Sequence, residues 1–272
     1  MEPAVPLSQL KSSTLHTVVI HLGAADSKTL SSTCGRAIHA QVLDWFRQGD
    51  PKVSEAIHKS QESPLNLSGL MGKCRRAQVQ AGDEFYFRIG LLNGSLIDCL
   101  VNGLEEWGDK PFSLANFRFA IRSINMLPGT DPWVGSSDYA LLAETPTALD
   151  GLTLRFLSPT SFKVKDGQDI QPFPLAEAVF GSLQRRWNVF APEELRFPKI
   201  KWRGLVSDYD LNTQKLRMGN SVEIGAVGWI RYRFPNPEQA RIATILAHYA
   251  FFAGVGRKTT MGMGQVILEN RD

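Results

Sequence analysis

Gly254-Val-Gly-Arg-Lys-Thr-Thr-Met-Gly-Met-Gly264 is the most distinctive stretch of this 272-residue chain. It follows an apolar helical run, residues 237–252, and precedes a short strand-like run, residues 265–268. Glycine tolerates backbone conformations closed to other residues and lets amide N–H groups approach a ligand closely. With Arg257 and Lys258 beside them, Gly254, Gly256, Gly262 and Gly264 read as a loop that receives an anion. The plain alternative is a turn that joins helix to strand. A dinucleotide-binding loop does not fit, because position 259 is Thr where G-x-G-x-x-G needs Gly, and no G-x-x-x-x-G-K-[ST] is present. Both of those motifs also open a helix, whereas this loop closes one and leaves only a final short strand to come.

Working back from the loop, the second half alternates strands and helices. Residues 152–156 and 162–165 are strand-like, 175–187 helical, 202–205 and 214–218 strand-like, and 227–234 alternates strongly. The first half reads as a strand (17–22), helices (35–47 and 51–59), a strand (85–92), a helix (96–106) and a strand-like run (112–124). That β-α-β-α-β order is close to a ferredoxin-like unit. The Pro- and Gly-rich segment 127–138 reads as a loop and sets the expected boundary. The expectation is an α+β protein of two tandem ferredoxin-like domains, residues 1–126 and 127–272. Two domains also suit the length, since single cores commonly hold roughly 100 to 150 residues.

Hydrophobic residues make up 43% and charged residues 21% of the chain, an ordinary globular composition. No apolar run approaches the roughly 18 residues that span a bilayer, and residues 1–11 lack a secretory pattern, so a cytoplasmic protein without membrane attachment is expected. Cys34, Cys74 and Cys99 are odd in number, with no C-x-x-C pair, which suggests neither a disulfide framework nor a zinc site. The residues point to no metal and no cofactor.

A net charge of +3 does not by itself mark a nucleic-acid binder. Local grouping says more. Basic clusters recur at Lys73/Arg75/Arg76, Arg185/Arg186, Lys199/Lys201/Arg203, Lys215/Arg217, Arg231/Arg233 and Arg257/Lys258. Alternation along 227–234 puts Trp229, Arg231 and Arg233 on one face, wet and cationic, and Ile230, Tyr232 and Phe234 on the other. Such a face can grip RNA phosphates while Trp229 stacks on a base; an exposed sheet face with no ligand is the bland alternative.

The glycine-rich loop resembles the C-terminal hallmark of the CRISPR-associated repeat-RNA endoribonucleases, members of the RAMP superfamily built on paired ferredoxin-like or RNA-recognition-like folds. Gly35-Arg-Ala-Ile-His39, Asp50-Pro-Lys-Val-Ser-Glu-Ala-Ile-His58, residues 64–70 and Leu157-Ser-Pro-Thr-Ser-Phe162 resemble that family at matching places. The resemblance implies a metal-independent endoribonuclease that cuts CRISPR precursor RNA within its repeats. The RNA's own 2′-hydroxyl attacks the adjacent phosphate and leaves a 2′,3′-cyclic phosphate and a 5′-hydroxyl. The partner it implies is CRISPR repeat RNA, with further subunits of a guide-RNA effector complex left open. The rival within the same superfamily is a non-catalytic RNA-binding subunit of a guide-RNA surveillance complex. A phosphate-ligand enzyme that binds a nucleotide at the glycine loop is a second rival.

Such cleavage needs alignment, a proton taken, a proton given and charge balanced on the phosphorane. Histidine suits the proton steps because its pKa lies near 6.5. Of His16, His21, His39, His58 and His248, the resemblance singles out His39 and His58 as the catalytic pair. On a helix His39 lies beside Leu43 and Phe46, with Arg36 and Arg47 about 60° to 80° away, so it straddles an apolar and a basic edge. His58 lies about 100° from Val53 and Ile57 and faces solvent or ligand. His16 and His21 belong to the first strand, and His248 reads as a core histidine. Some relatives carry a lysine near positions 61–63, where this chain has Gln61, Glu62 and Ser63. The charge-balancing role therefore stays open among Lys59, Lys52 and Arg36.

Overall fold

The computed structural model describes residues 12–30, 33–72, 78–164, 169–219 and 221–269. The Lys73/Arg75/Arg76 cluster and Cys74 lie outside the described residues. Two compact units divide the chain, Met1–Ser136 and Ser137–Asp272.

In the first unit, β1 (Thr14–Ala24) is followed by α1 (Gly35–Gly49), α2 (Pro51–Lys59), β2 (Leu65–Leu67), β3 (Glu84–Leu91), α3 (Leu96–Trp107), β4 (Phe112–Leu114) and β5 (Phe117–Asn125). These strands line up as β2-β3-β1-β5-β4, every neighbouring pair antiparallel. The pattern follows from period-two burial. Val18, Ile20 and Leu22 of β1 and Phe85, Phe87, Ile89 and Leu91 of β3 join one core with Ile38, Val42, Trp45 and Phe46 of α1 and Leu96, Leu100 and Leu104 of α3. Each such fully buried side chain contributes roughly 1.5–3 kcal/mol.

The strand-like run 112–124 is in fact a hairpin. Ala115 and Asn116 take φ of 50° and 66° between the paired residues Leu114 and Phe117. Two consecutive left-handed residues make the tight turn whose twist suits a hairpin, and Ala-Asn lacks the usual glycine that announces it. Segment 127–136, assigned by its composition to the second half, is tied to the first unit. Asp131 accepts from the Trp133 amide at 2.8 Å and meets His21 Nε2 at 3.2 Å, and the Thr17 hydroxyl donates to the Gly135 carbonyl at 3.4 Å.

The second unit repeats the scheme with β6 (Leu152–Thr160), α4 (Ala176–Phe190), β7 (Leu205–Met218), β8 (Ser221–Arg233), α5 (Pro237–Ala253) and β9 (Val266–Glu269). The order is β7-β8-β6-β9, again antiparallel. In the second unit the strands run second, third, first, fourth, the ferredoxin-like arrangement expected for an α+β chain, and β2-β3-β1-β5 of the first unit repeats it with β4 added at the edge. Residues 202–205 and 214–218 are not two strands: β7 is one strand of 14 residues that starts at Leu205. Trp202 precedes it and packs on Phe180 with ring centroids 5.3 Å apart, its Nε1 donating to Gln184 Oε1 at 3.2 Å. A short helix, Tyr139–Ala143, also went unanticipated; Tyr139 is buried edge-on against Trp187 at 4.9 Å.

In the first unit α1 and α3 approach closely at two glycines. A Cβ on Gly103 would lie 1.8 Å from the Trp45 carbonyl oxygen, and one on Gly49 would lie 2.0 Å from that of Cys99. Gly103→Ala is therefore expected to force the helices apart and cost about 1–3 kcal/mol, the range for overpacking. Chemical denaturation followed by circular dichroism tests this; an unchanged midpoint would mean that the helices separate without penalty.

Candidate active site and RNA interface

Asp50 builds the first site. Its amide caps α1 by donating to the Phe46 carbonyl at 2.8 Å, while its carboxylate starts α2 by accepting from the Lys52 and Val53 amides at 2.8 and 3.4 Å. Pro51 supplies the preset φ of a first helical turn. The Ser54 hydroxyl donates back to the Leu43 carbonyl at 2.9 Å, and buried Ile57 anchors α2 in the core. These contacts fix the angle between the helices and bring His58, near the end of α2, within electrostatic range of His39 on α1.

His39 is half-buried and His58 exposed, as the helical angles predict. Burial lowers the His39 pKa, and the neighbouring His58 lowers it further, because two positive rings repel. His39 is thus held toward the neutral form that accepts a proton. Of the candidate charge-balancing groups, exposed Lys59 is paired with Glu55 at 2.5 Å. Arg36, one helical turn before His39, is exposed and has no ion-pair partner among the described residues. Arg47 is tied to Asp44.

The glycine-rich loop is differently disposed from its reading as an open cradle. Gly254, Gly256, Gly262 and Gly264 all take positive φ, between 63° and 92°. A Cβ on Gly256 would lie 2.5 Å from the Ser161 carbonyl oxygen, and one on Gly264 would lie 2.1 Å from that of Val255. The loop is stapled to residues 157–161: Arg257 N donates to Ser161 O at 3.0 Å, Gly264 N to Pro159 O at 3.2 Å, Gln265 N to Ser158 Oγ at 3.0 Å, and Leu157 N to Gln265 O at 2.8 Å. Gly256 N donates to Ser182 Oγ of α4 at 3.1 Å. Buried Arg186 reaches the loop from α4, donating to the Ala253 carbonyl and to Thr259 Oγ1.

Arg257 and Lys258 do not stand free. Both engage Glu223 of β8, at 3.0 and 2.5 Å. Burial pushes the Glu223 carboxyl pKa up, but the two cations outweigh it and hold the group below its usual range, ionised at neutral pH. Glu223 is the member of this charge cluster that the sequence reading does not single out. The available signal was a single carboxylate inside the otherwise apolar run Val222-Glu-Ile-Gly-Ala-Val227.

On β8 the alternation holds, with Ile230 and Tyr232 buried and Trp229, Arg231 and Arg233 on the other face. That face is not simply cationic. Asp210 pairs across from Trp229 and Asp208 from Arg231, and neighbouring Arg155 of β6 is bound to Glu269 at 2.9 Å. Arg231 also donates to the Asp150 carbonyl at 3.3 Å.

The remaining histidines sort partly as expected. His16 touches Thr14 and Ser136 through its two ring nitrogens, at 3.2 and 3.3 Å, and His21 pairs with Asp131. His248 is no core residue: its ring is exposed on an otherwise buried stretch of α5, though crowding lowers its pKa by desolvation. Cys34 and Cys99 are buried, and neither is in a disulfide among the described residues. Among the described residues no group of three or more His, Cys, Asp or Glu side chains gathers as metal ligands would, and no helix is long and apolar enough to cross a membrane.

Residues 154–266, which span the strands, helices and loop of the second unit, match the model of the CRISPR-associated endoribonuclease Cas6. Over those residues the chain is similar to Cas6 proteins. Solved Cas6 structures share the fold over nearly its whole length. A product complex of the Cas6 TTHB231, a Thermus thermophilus protein, is 21% identical, with 95% of this chain and 100% of that one covered and a TM-score of 0.79. A product complex of the Cas6 TTHA0078 is 26% identical over 94% of this chain and 100% of that one, with a TM-score of 0.74. A Cas6-related protein of Pyrococcus furiosus is 15% identical over 95% and 100%, with a TM-score of 0.65. No curated protein matched the chain.

The electrostatic link between the two histidines can be measured. Because folding lowers the His39 pKa from 6.5, the unfolded chain binds more protons just below that value. His39's contribution to stability is therefore present above pH 6.5 and lost as pH falls through the lowered folded value. His58→Ala should raise the His39 titration midpoint, read by NMR. A midpoint that does not move would mean that the rings are not coupled.

Proposed function

We propose that this chain is a metal-independent endoribonuclease that cleaves CRISPR precursor RNA within its repeats by 2′-hydroxyl attack, leaving 5′-hydroxyl and 2′,3′-cyclic phosphate ends. The observation that carries the reading is the placement of His39 and His58 by the Asp50 joint, in a chain whose residues 154–266 match the Cas6 model. His39, poised neutral, withdraws the 2′-hydroxyl proton. His58, exposed beside it, is placed to return one to the leaving 5′-oxygen, and Arg36 balances charge on the phosphorane. Trp229, Arg231 and Arg233 contribute stacking and phosphate contacts on β8, and the glycine-rich loop adds its own through Arg257 and Lys258. Cas6 structures solved as a product complex and as a substrate mimic complex, and a similar RAMP protein described as binding different RNA substrates, support repeat RNA as the partner.

The assignment of His39 makes a quantitative demand. His39→Ala should slow single-turnover cleavage by roughly 10² to 10⁴ while RNA affinity changes little, the range for a lost general acid or base. A folded variant that binds RNA normally and cuts within about threefold of wild type would refute the role, and the same result for His58→Ala would favour a non-catalytic RNA-binding subunit. The mechanism has its own test. A 2′-deoxy substitution just 5′ of the scissile phosphate should abolish cutting but not binding, and EDTA should leave the rate unchanged. Cleavage of the deoxy substrate would point to an activated water, and loss in EDTA restored by Mg²⁺ would point to a metal.

A further inference from the structure

Two facts about the glycine-rich loop pull against each other. Its side-chain cations are occupied, since Arg257 and Lys258 converge on one carboxylate that is itself only 8% exposed. Its backbone is not: among the described residues the amides of Lys258, Thr259 and Thr260 meet no acceptor. Lys258 also sits at a φ of 54°, a left-handed conformation that a side chain adopts only where its surroundings enforce it. Nearby, the buried Ser161 hydroxyl has no hydrogen-bond partner. Three open amides in a turn beside two cations form an anion receptor with its counter-charge already installed.

The carboxylate is held there by the fold. Gly225, two residues along β8 from Glu223, lies directly on the β6 backbone: a Cβ there would be 2.3 Å from Thr160 N. The β7–β8 hairpin therefore delivers Glu223 to the same residues 159–161 on which the loop is stapled. With Glu223 in place the three side chains carry a net charge of about +1, and without it about +2, which changes how strongly the loop attracts any polyanion.

We propose that Glu223 is a resident counter-ion of the glycine-rich loop, which an RNA phosphate must displace from Arg257 and Lys258 before the loop binds it. A phosphate that trades places with the carboxylate keeps both charge pairs and offers further acceptor oxygens to the amides of Lys258, Thr259 and Thr260, which meet no acceptor among the described residues. A polyanion that merely drifts past gains none of this. Glu223 thus suppresses indiscriminate attraction and makes loop binding conditional on a correctly seated phosphate. The inference rests on the reading of the chain as an RNA-binding protein.

The test compares wild type with Glu223→Gln and Glu223→Asp, using a repeat RNA and poly-uridine, with affinity followed across a range of salt. Glu223→Gln should bind poly-uridine at least about threefold tighter, with a salt slope steeper by about one unit, since freed cations gain phosphate contacts. Adding Arg257→Ala and Lys258→Ala should erase the gain. Glu223→Asp, which keeps the charge but shortens the reach, should show a smaller gain, and it decides the matter if the glutamine variant does not fold. Unchanged or weaker poly-uridine binding by a folded Glu223 variant would overturn the inference and make the triad a structural strut. Wild type that binds neither RNA at any salt would instead sink the RNA-binding reading, and this inference with it.

Discussion

The carboxylate of Asp50 is the contact on which the arrangement of the first site depends. One residue ends α1 through its amide and begins α2 through its side chain, so no slack separates the helices. Capping of this kind is worth about 1 kcal/mol, a modest stabilisation. Its geometric consequence is larger. Because Pro51 fixes the next φ and Ser54 ties α2 back to the Leu43 carbonyl, the direction of α2 is settled within its first turn. His58 sits seven residues after Pro51, two helical turns along, and its distance from His39 is inherited from that joint. One ring half-buried and one exposed gives the two histidines different environments, and the proposed division of the two proton tasks rests on that difference.

The second unit solves a different problem with backbone rather than side chains. The Leu157–Phe162 stretch, the glycine-rich loop and the end of α5 lie so close that main-chain groups serve as the mutual hydrogen-bond partners, and Gly256 and Gly264 are where that closeness forbids a Cβ. Two motifs that are about a hundred residues apart in the sequence are therefore one structural object. This explains why both stood out in the sequence. It also explains why the loop's amides divide into a set consumed by the fold and a short set, at Lys258 to Thr260, left open.

Legibility in the sequence tracked how local the governing physics was. The helix 51–59 was read to the residue because Asp-Pro at its start is a purely local signal, and both His39 and His58 took the exposure that helical angles assign them. The alternation of β8 was likewise visible, since period two needs no knowledge of neighbours. Failures came where a partner strand or a distant side chain decides. The β4–β5 hairpin turns on Ala115 and Asn116, residues without a turn signature. His248 lies in an apolar helix yet faces outward, because which side of α5 is covered depends on packing rather than on the helix's own pattern. The basic face of β8 looked cationic only because the aspartates opposite it belong to β7, and the cross-strand register of a 14-residue edge strand is not written in β8 itself.

The same argument bears on how charge clusters should be read. Arg257-Lys258 and Arg231/Arg233 are equal in sequence as pairs of cations, but the fold gives each a distinct counter-charge. Arg257 and Lys258 share a nearly buried carboxylate, where low solvent exposure makes the attraction stronger than a surface pair commands. Asp208 lies opposite Arg231 in register on the largely exposed β7, with no salt bridge between them among the described residues, and there solvent screens its attraction. An incoming phosphate meets weak competition at the second place and strong competition at the first. Binding on β8 should therefore follow general electrostatics and fall smoothly with salt, while binding at the loop should respond to whether the ligand can replace Glu223. On the proposed exchange, a chain of modest net charge is selective for RNA without being broadly adhesive to it, because the two cations of its glycine-rich loop are held in reserve by Glu223.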